Sequence, residues 1–161
     1  MNSYRLPTDT NEITLRQLQY IVDTIPGILL AIPENEFSRK PSPDKWSKKE
    51  IIGHLIDSAT NNHHRFVLAQ FDDNPTILYD QNLWNHHGYY GQMDGHHLIA
   101  FWALYNQHII ELIKRIPKEG LERGCRMRDG EVYTLSWLFD DYVRHLEHHL
   151  RQILESKTVR Q

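Results

Sequence analysis

His145 and His149 stand four residues apart in D-Y-V-R-H-L-E-H-H-L-R-Q-I-L (141–154), a stretch with neither glycine nor proline. Leu138, Tyr142, His145, His149 and Gln152 step by four, three, four and three residues, so they share one stripe of an α-helix. Such a stripe normally faces a core and is apolar. Here its centre carries two imidazoles one turn apart. At this spacing their ring nitrogens can converge on a single cation, as paired histidines do in zinc enzymes. The alternatives are two core histidines satisfied by hydrogen bonds, or two solvated ones.

A structural zinc takes four protein ligands, and a catalytic one takes three plus an exchangeable water. The third imidazole would come from another core-facing helix, and His54, set among Ile51, Ile52, Leu55 and Ile56, is the candidate. That apolar neighbourhood predicts burial, as a ligand or as a satisfied core histidine. Three imidazoles suit Zn, Ni, Fe or Cu better than Mg or Ca. With one position open, the ion can bring a bound water's pKa toward about 7, or hold a thiol as thiolate. Asp57, one turn from His54, could accept a hydrogen bond from a ligating histidine or the water, or be an exposed helix acid. Arg65, on the same polar stripe as His54, Asp57/Ser58 and Asn61, could grip an anionic substrate group, or lie at the surface. His148 points about 100° away from His149 and is placed outside the ion's reach. His63, His64, His86, His87, His96, His97 and His108 read as solvated or incidental, not as ligands.

The elements that must position these groups are helical. From Glu12 to Ile32 the apolar residues keep helical periodicity, with a kink or break expected at Pro26-Gly27. W-S-K-K-E-I (46–51) opens a second helix running to about Phe71: Ser47 and Glu50 form a capping box, and Trp46 and Ile51 have staple spacing. A third helix spans roughly 95–115 behind an Asp94 cap, and a fourth follows a Thr134 cap, with Tyr133 and Leu138 as its staple. Residues 1–11 read as a loosely held leader. The turn-rich segment 72–94 carries Tyr79, Trp84, Tyr89 and Tyr90, so it is expected to pack over one end of the bundle and wall a pocket. Asp129-Gly130 suggests a short hairpin or tight turn. The fold class is therefore all-α, a four-helix bundle whose long connection between the second and third helices permits a crossover.

With 161 residues the chain is sized for a single domain, 1–161. No window is apolar enough to span a membrane, and the polar start is not a signal peptide, so a cytoplasmic location is expected. A net charge of −3 without a basic stripe argues against nucleic acid. The one cysteine, Cys125, excludes an internal disulfide and a cysteine-based zinc finger.

W-S-K-K-E-I-I-G-H-L-I-D-S-A (46–59), N-x-x-x-R at 61–65, the Tyr-Asp and Trp at 79, 80 and 84, and R-H-L-E-H-H-L-R-Q-I (144–153) together resemble the DinB/YfiT-like superfamily. The likeness spans most of the chain and is greatest to the YfiT group of metal-dependent hydrolases. It implies a metal-binding four-helix bundle of unusual connectivity, often a homodimer, with ligands at His54, His145 and His149. Related members are thiol S-transferases that use bacillithiol, mycothiol or glutathione. One departure is Leu146 and Glu147 between the histidines, where small residues are frequent. Three functions follow as expectations: a hydrolase with a divalent ion, Zn or Ni, acting on a small molecule; a metal-dependent transferase of a low-molecular-weight thiol; or a non-catalytic, metal-stabilised bundle.

Overall fold

Four long helices carry the chain: α1 (Thr10–Leu30), α3 (Lys48–Leu68), α5 (Gly95–Ile113) and α7 (Leu135–Glu155). Short elements join them: α2 (Glu34–Ser38), α4 (Gln81–Gly88), α6 (Lys118–Leu121) and the strands β1 (Gly124–Arg126) and β2 (Val132–Thr134). They come from a computed structural model, which describes residues 10–155.

Local chemistry explains most of the boundaries. The Ser47 hydroxyl accepts from the Glu50 amide at 3.1 Å, and the Glu50 carboxylate accepts from the Ser47 amide at 2.7 Å, which closes the expected capping box. Asp94 accepts from the His97 amide and Thr134 from the Trp137 amide, so α5 and α7 begin where their caps place them. Of the kink or break expected at Pro26-Gly27, the break does not occur, because α1 continues through Pro26. Leu18, Ile21 and Leu29 are buried on both sides of it. That burial outweighs the roughly 3 kcal/mol a helical proline costs.

Two further expectations need correction. Most of the supposed leader lies outside the described residues, but Thr10 and Asn11 already belong to α1. Asn11 is tied to α7, its amide donating to the Ser136 carbonyl and to Asp140, each at 3.1 Å. The segment 72–94 also contains a helix, α4, which Asp80 caps through the amides of Asn82 and Leu83. The turn at Asp129-Gly130 is a hairpin: β1 and β2 pair antiparallel with Cys125 opposite Tyr133, and Gly130 takes φ +85°, open to glycine without strain.

Each of α1 and α3 packs against both α5 and α7, so α1 and α3 lie across a diagonal. Around the bundle the order is α1, α5, α3, α7. Consecutive long helices α1 and α3 are therefore not neighbours, and the connections must cross over. The core between them holds Trp102, Phe66, Phe139, Leu55 and Ile109. Phe66 meets Phe139 and Tyr142, whereas His54, three turns earlier, meets His145 and His149. Thus α3 and α7 run antiparallel, and their shared groove holds the histidines.

Candidate metal centre

His54 comes from α3 and is fully buried; His145 and His149 come from α7 and are half-buried. The Nε2 atom of His145 lies 3.1 Å from that of His54 and 3.1 Å from that of His149. One ligand nitrogen from each ring falls within 4.8 Å of the others, an arrangement that could hold a metal ion. Zinc–nitrogen bonds of about 2.0–2.1 Å at tetrahedral angles put ligand nitrogens roughly 3.3 Å apart, so these separations suit a single small ion. Three imidazoles offering one another lone pairs otherwise leave acceptors facing acceptors. The donor set fits a divalent transition metal.

Protonation supports that fit. Burial drives the His54 imidazole down to about 3, with the neighbouring His145 and His149 adding to the effect. His145 falls to about 4, again chiefly through burial, although Asp141 one turn away opposes the shift. His149 is lowered as well, mainly by burial, against the opposing hydrogen bond with Gln152. All three are neutral near pH 7, with lone pairs free for a cation. The Nδ1 of His149 sits 2.8 Å from Gln152 Oε1, whereas the buried Nδ1 of His54 has no partner among the described residues. Trp46 lies with its ring centroid 4.9 Å from that of His54, so the expected staple residue covers the imidazole's face.

Asp57 is not an exposed helix acid. It is only 3% exposed, and its Oδ1 accepts from the Tyr90 hydroxyl while its Oδ2 is buried without a partner. Burial raises its carboxyl to about 6, partly offset by the tyrosine's hydrogen bond. Tyr90 reaches it because the backbone turns sharply after α4: Tyr89 adopts φ +55°, the left-handed conformation that ends many helices. The Tyr90 ring then lies against Gly53 of α3 and Gly88 of α4. The sequence marks Tyr90 only as one of the aromatics of segment 72–94; a pair of glycines flanking the space for one ring is the signal that ties it to the site.

Arg65 is not at the surface either. Only 6% exposed, it donates from Nε and Nη2 to the Ile77 carbonyl at 3.1 and 2.5 Å, and from Nη1 to Asn62 Oδ1 at 3.2 Å. It lines a cavity of about 470 Å³ with Ser58 and Asn62 of α3, Tyr142 and His145 of α7, and the segment Leu78–Asn82. The long connection walls this space, as its aromatic content suggested. Asn62, which by helical spacing shares a face with Leu55, Phe66 and Ala69, also faces it. His148 is exposed and lies outside the three-histidine cluster, and the other seven histidines form no further such cluster among the described residues. Cys125 is fully buried, and burial pushes its thiol up, so it is no ready nucleophile.

A helical bundle with three convergent imidazoles at an open groove defines a candidate metalloprotein of the four-helix class. The family model described as DinB superfamily matches residues 17–153, and the chain belongs to that superfamily. Among curated relatives, a protein of Halalkalibacterium halodurans named "Putative metal-dependent hydrolase" is 22% identical over 97% of this chain and 94% of its own length. Another of that name, YfiT of Bacillus subtilis, is 27% identical over 68% of this chain and 63% of its own. The solved structure of YfiT, described as a probable metal-dependent hydrolase with an unusual four-helix bundle topology, superposes with a TM-score of 0.83 at 20% identity, covering 96% of this chain and 90% of that one. A mycothiol-dependent maleylpyruvate isomerase matches at TM-score 0.68 and 14% identity, covering 86% of this chain and 60% of that one.

Proposed function

We propose that this chain is a metal-dependent hydrolase of small molecules, with His54, His145 and His149 holding one divalent ion, zinc or nickel, and the fourth position open to substrate. The observation that carries the reading is the approach of three neutral imidazoles from two helices, one of which, His145, lines a cavity. When bound, the ion supplies Lewis acidity, making a nucleophile available at neutral pH and polarising the electrophile. The chain's own residues do the rest. Burial keeps the imidazoles unprotonated, Trp46 shields His54, and the Leu78–Asn82 wall holds the substrate against α3 and α7. The names borne by the relatives agree with this reading. A homodimer, as the family resemblance implies, and a cytoplasmic location, as the polar sequence start suggests, belong to the same proposal.

Asp57 is assigned to orient the site. An imidazole that binds a metal through Nε2 carries its proton on Nδ1, and that proton needs an acceptor. His54 Nδ1 and Asp57 Oδ2 are buried and unpartnered three residues apart on α3, one a donor and the other an acceptor. Asp57→Asn is expected to weaken zinc binding about 10- to 100-fold while leaving the fold intact by circular dichroism. Unchanged zinc affinity in a competition titration would remove Asp57 from the site.

A second reading has one supporting observation. The buried cation Arg65 lines the same cavity as His145, which suits an acidic low-molecular-weight thiol. The two readings separate in one experiment on zinc-loaded protein purified without metal-affinity resin. Hydrolysis of an activated ester such as p-nitrophenyl acetate, dependent on zinc and indifferent to thiol, is the expected result. Turnover of an alkylating electrophile only with bacillithiol or glutathione would replace the hydrolase by the transferase. Zinc-dependent stabilisation with neither reaction would leave a non-catalytic bundle.

A further inference from the structure

The cavity that His145 lines lies in the slot between α3 and α7. Ser58, Asn62 and Arg65 succeed one another along α3, and His145, Tyr142 and Leu138 descend the antiparallel α7 opposite them. His54 and Arg65 are eleven residues apart on one helix, about 16 Å along its axis at 1.5 Å per residue. A helical side chain leans back toward the N-terminal end of its helix, and the Arg65 guanidinium reaches back to Asn62 on the preceding turn and across to the Ile77 carbonyl.

Arg65 is a buried charge with no counter-ion in contact, Asp141 acting on it only from beyond ion-pair distance. It forms no ion pair among the described residues, although eight others are present there. A guanidinium has five N–H donors; three interactions fix its position, and they leave donors on Nη1 and Nη2 unassigned. Two carboxylates also line the slot, Asp80, which caps α4, and Asp141, which pairs with Arg144 at 3.2 Å; neither is in ion-pair contact with Arg65. Leaving a desolvated cation unpaired is costly, and the cost is relieved when a ligand brings the opposite charge. A planar fork whose outer donors are free suits a carboxylate.

We infer that Arg65 is the recognition point for a terminal carboxylate on an elongated substrate whose reacting end lies at the histidines. This rests on the metal reading above and adds the substrate class: an acyl chain or thiol bearing a carboxylate several bonds from the reacting atom. Leu78 and Met127 line the slot and receive the intervening chain, while Arg128, held by the Tyr79 carbonyl at 3.2 Å, adds positive charge at the rim. Short carboxylates that cannot span the two ends gain nothing from Arg65.

Monohydroxamates of succinic, adipic, suberic and sebacic acid test this, because the hydroxamate anchors on zinc and the free carboxylate probes the slot. Each is compared with its methyl ester by calorimetric titration of zinc-loaded protein. For the long members the acid binds about tenfold or more tightly than the ester, and the succinic pair shows no difference. Arg65→Gln abolishes the preference with zinc content and acetohydroxamate affinity unchanged. Equal binding of acid and ester at every length in the wild type, or a preference that survives in Arg65→Gln, overturns the inference. The acid–ester comparison needs no variant, so it stands even if Arg65→Gln misfolds. Should acetohydroxamate itself fail to bind, the open metal position is wrong. Suberate added to the metal-free protein then decides the carboxylate site alone: thermal stabilisation lost in Arg65→Gln retains it, and no stabilisation removes it.

Discussion

His145→Ala protein is expected to purify without its metal ion and to lose the thermal stabilisation that zinc gives the wild type. His145 is the hub of the cluster, since its Nε2 is the atom 3.1 Å from both of the others. Its removal leaves His54 and His149 on different helices with no imidazole between them. Losing a group that merely supports a ligand costs about 10- to 100-fold in affinity, and losing the ligand itself costs more. Zinc at a thousand times its dissociation constant stabilises a folded protein by about 4 kcal/mol, so the wild type should melt well above its chelated form and the variant should not. Elemental analysis and melting curves with and without a chelator read both effects. His148→Ala is the matched control, because His148 is exposed and its Nε2 lies 3.3 Å from Gln152 Nε2. Full metal content in His145→Ala, or its loss in His148→Ala, would refute the ligand assignment.

Gly53→Ala should destabilise the protein even though alanine is the better helix former by about 1 kcal/mol. A Cβ built at Gly53 falls 2.1 Å from Tyr90 Cδ2 and 2.2 Å from Cγ. The ring cannot slide away freely, because Gly88 also closes on its Cδ2–Cε2 edge, where a Cβ would meet Cε2 at 2.5 Å, and Asp57 holds the hydroxyl. Overpacking of this kind costs about 1–3 kcal/mol. In a chain of this size that lowers the melting temperature by roughly 2–4 °C for each kcal/mol. The double variant Gly53→Ala with Tyr90→Ala removes the clash, so the two substitutions should cost less together than the sum of their separate effects. A rise in melting temperature in Gly53→Ala would mean that the ring is not held where the structure places it.

The long helices and the starts of α3, α5 and α7 were legible because they rest on short-range physics. Ser47 with Glu50, Asp94 and Thr134 each act within four residues of themselves, and apolar periodicity needs only its own helix. The pairing of His145 with His149 was equally local, one turn of one helix. What local signals misjudged was any position at which distant burial outweighs propensity. Pro26 stays helical because Leu18, Ile21 and Leu29 are buried on both sides of it, and Asn62, periodic with the apolar residues, faces a polar cavity.

The sequence by itself determined the starts of α3, α5 and α7, the two-histidine stripe and the family to which the chain belongs, since each is written in residue types at fixed spacing. Only the tertiary structure decided that α3 and α7 run antiparallel in contact, bringing His54 across to a pair 91 residues further along the chain. It also decided that Asp57 and Arg65 are buried rather than solvated, and that Tyr90 is the group that reaches Asp57. The physical reason is that burial and its effects on charge belong to the neighbours a residue meets in space. A helix can specify its own caps, but it cannot specify which helix will cover it.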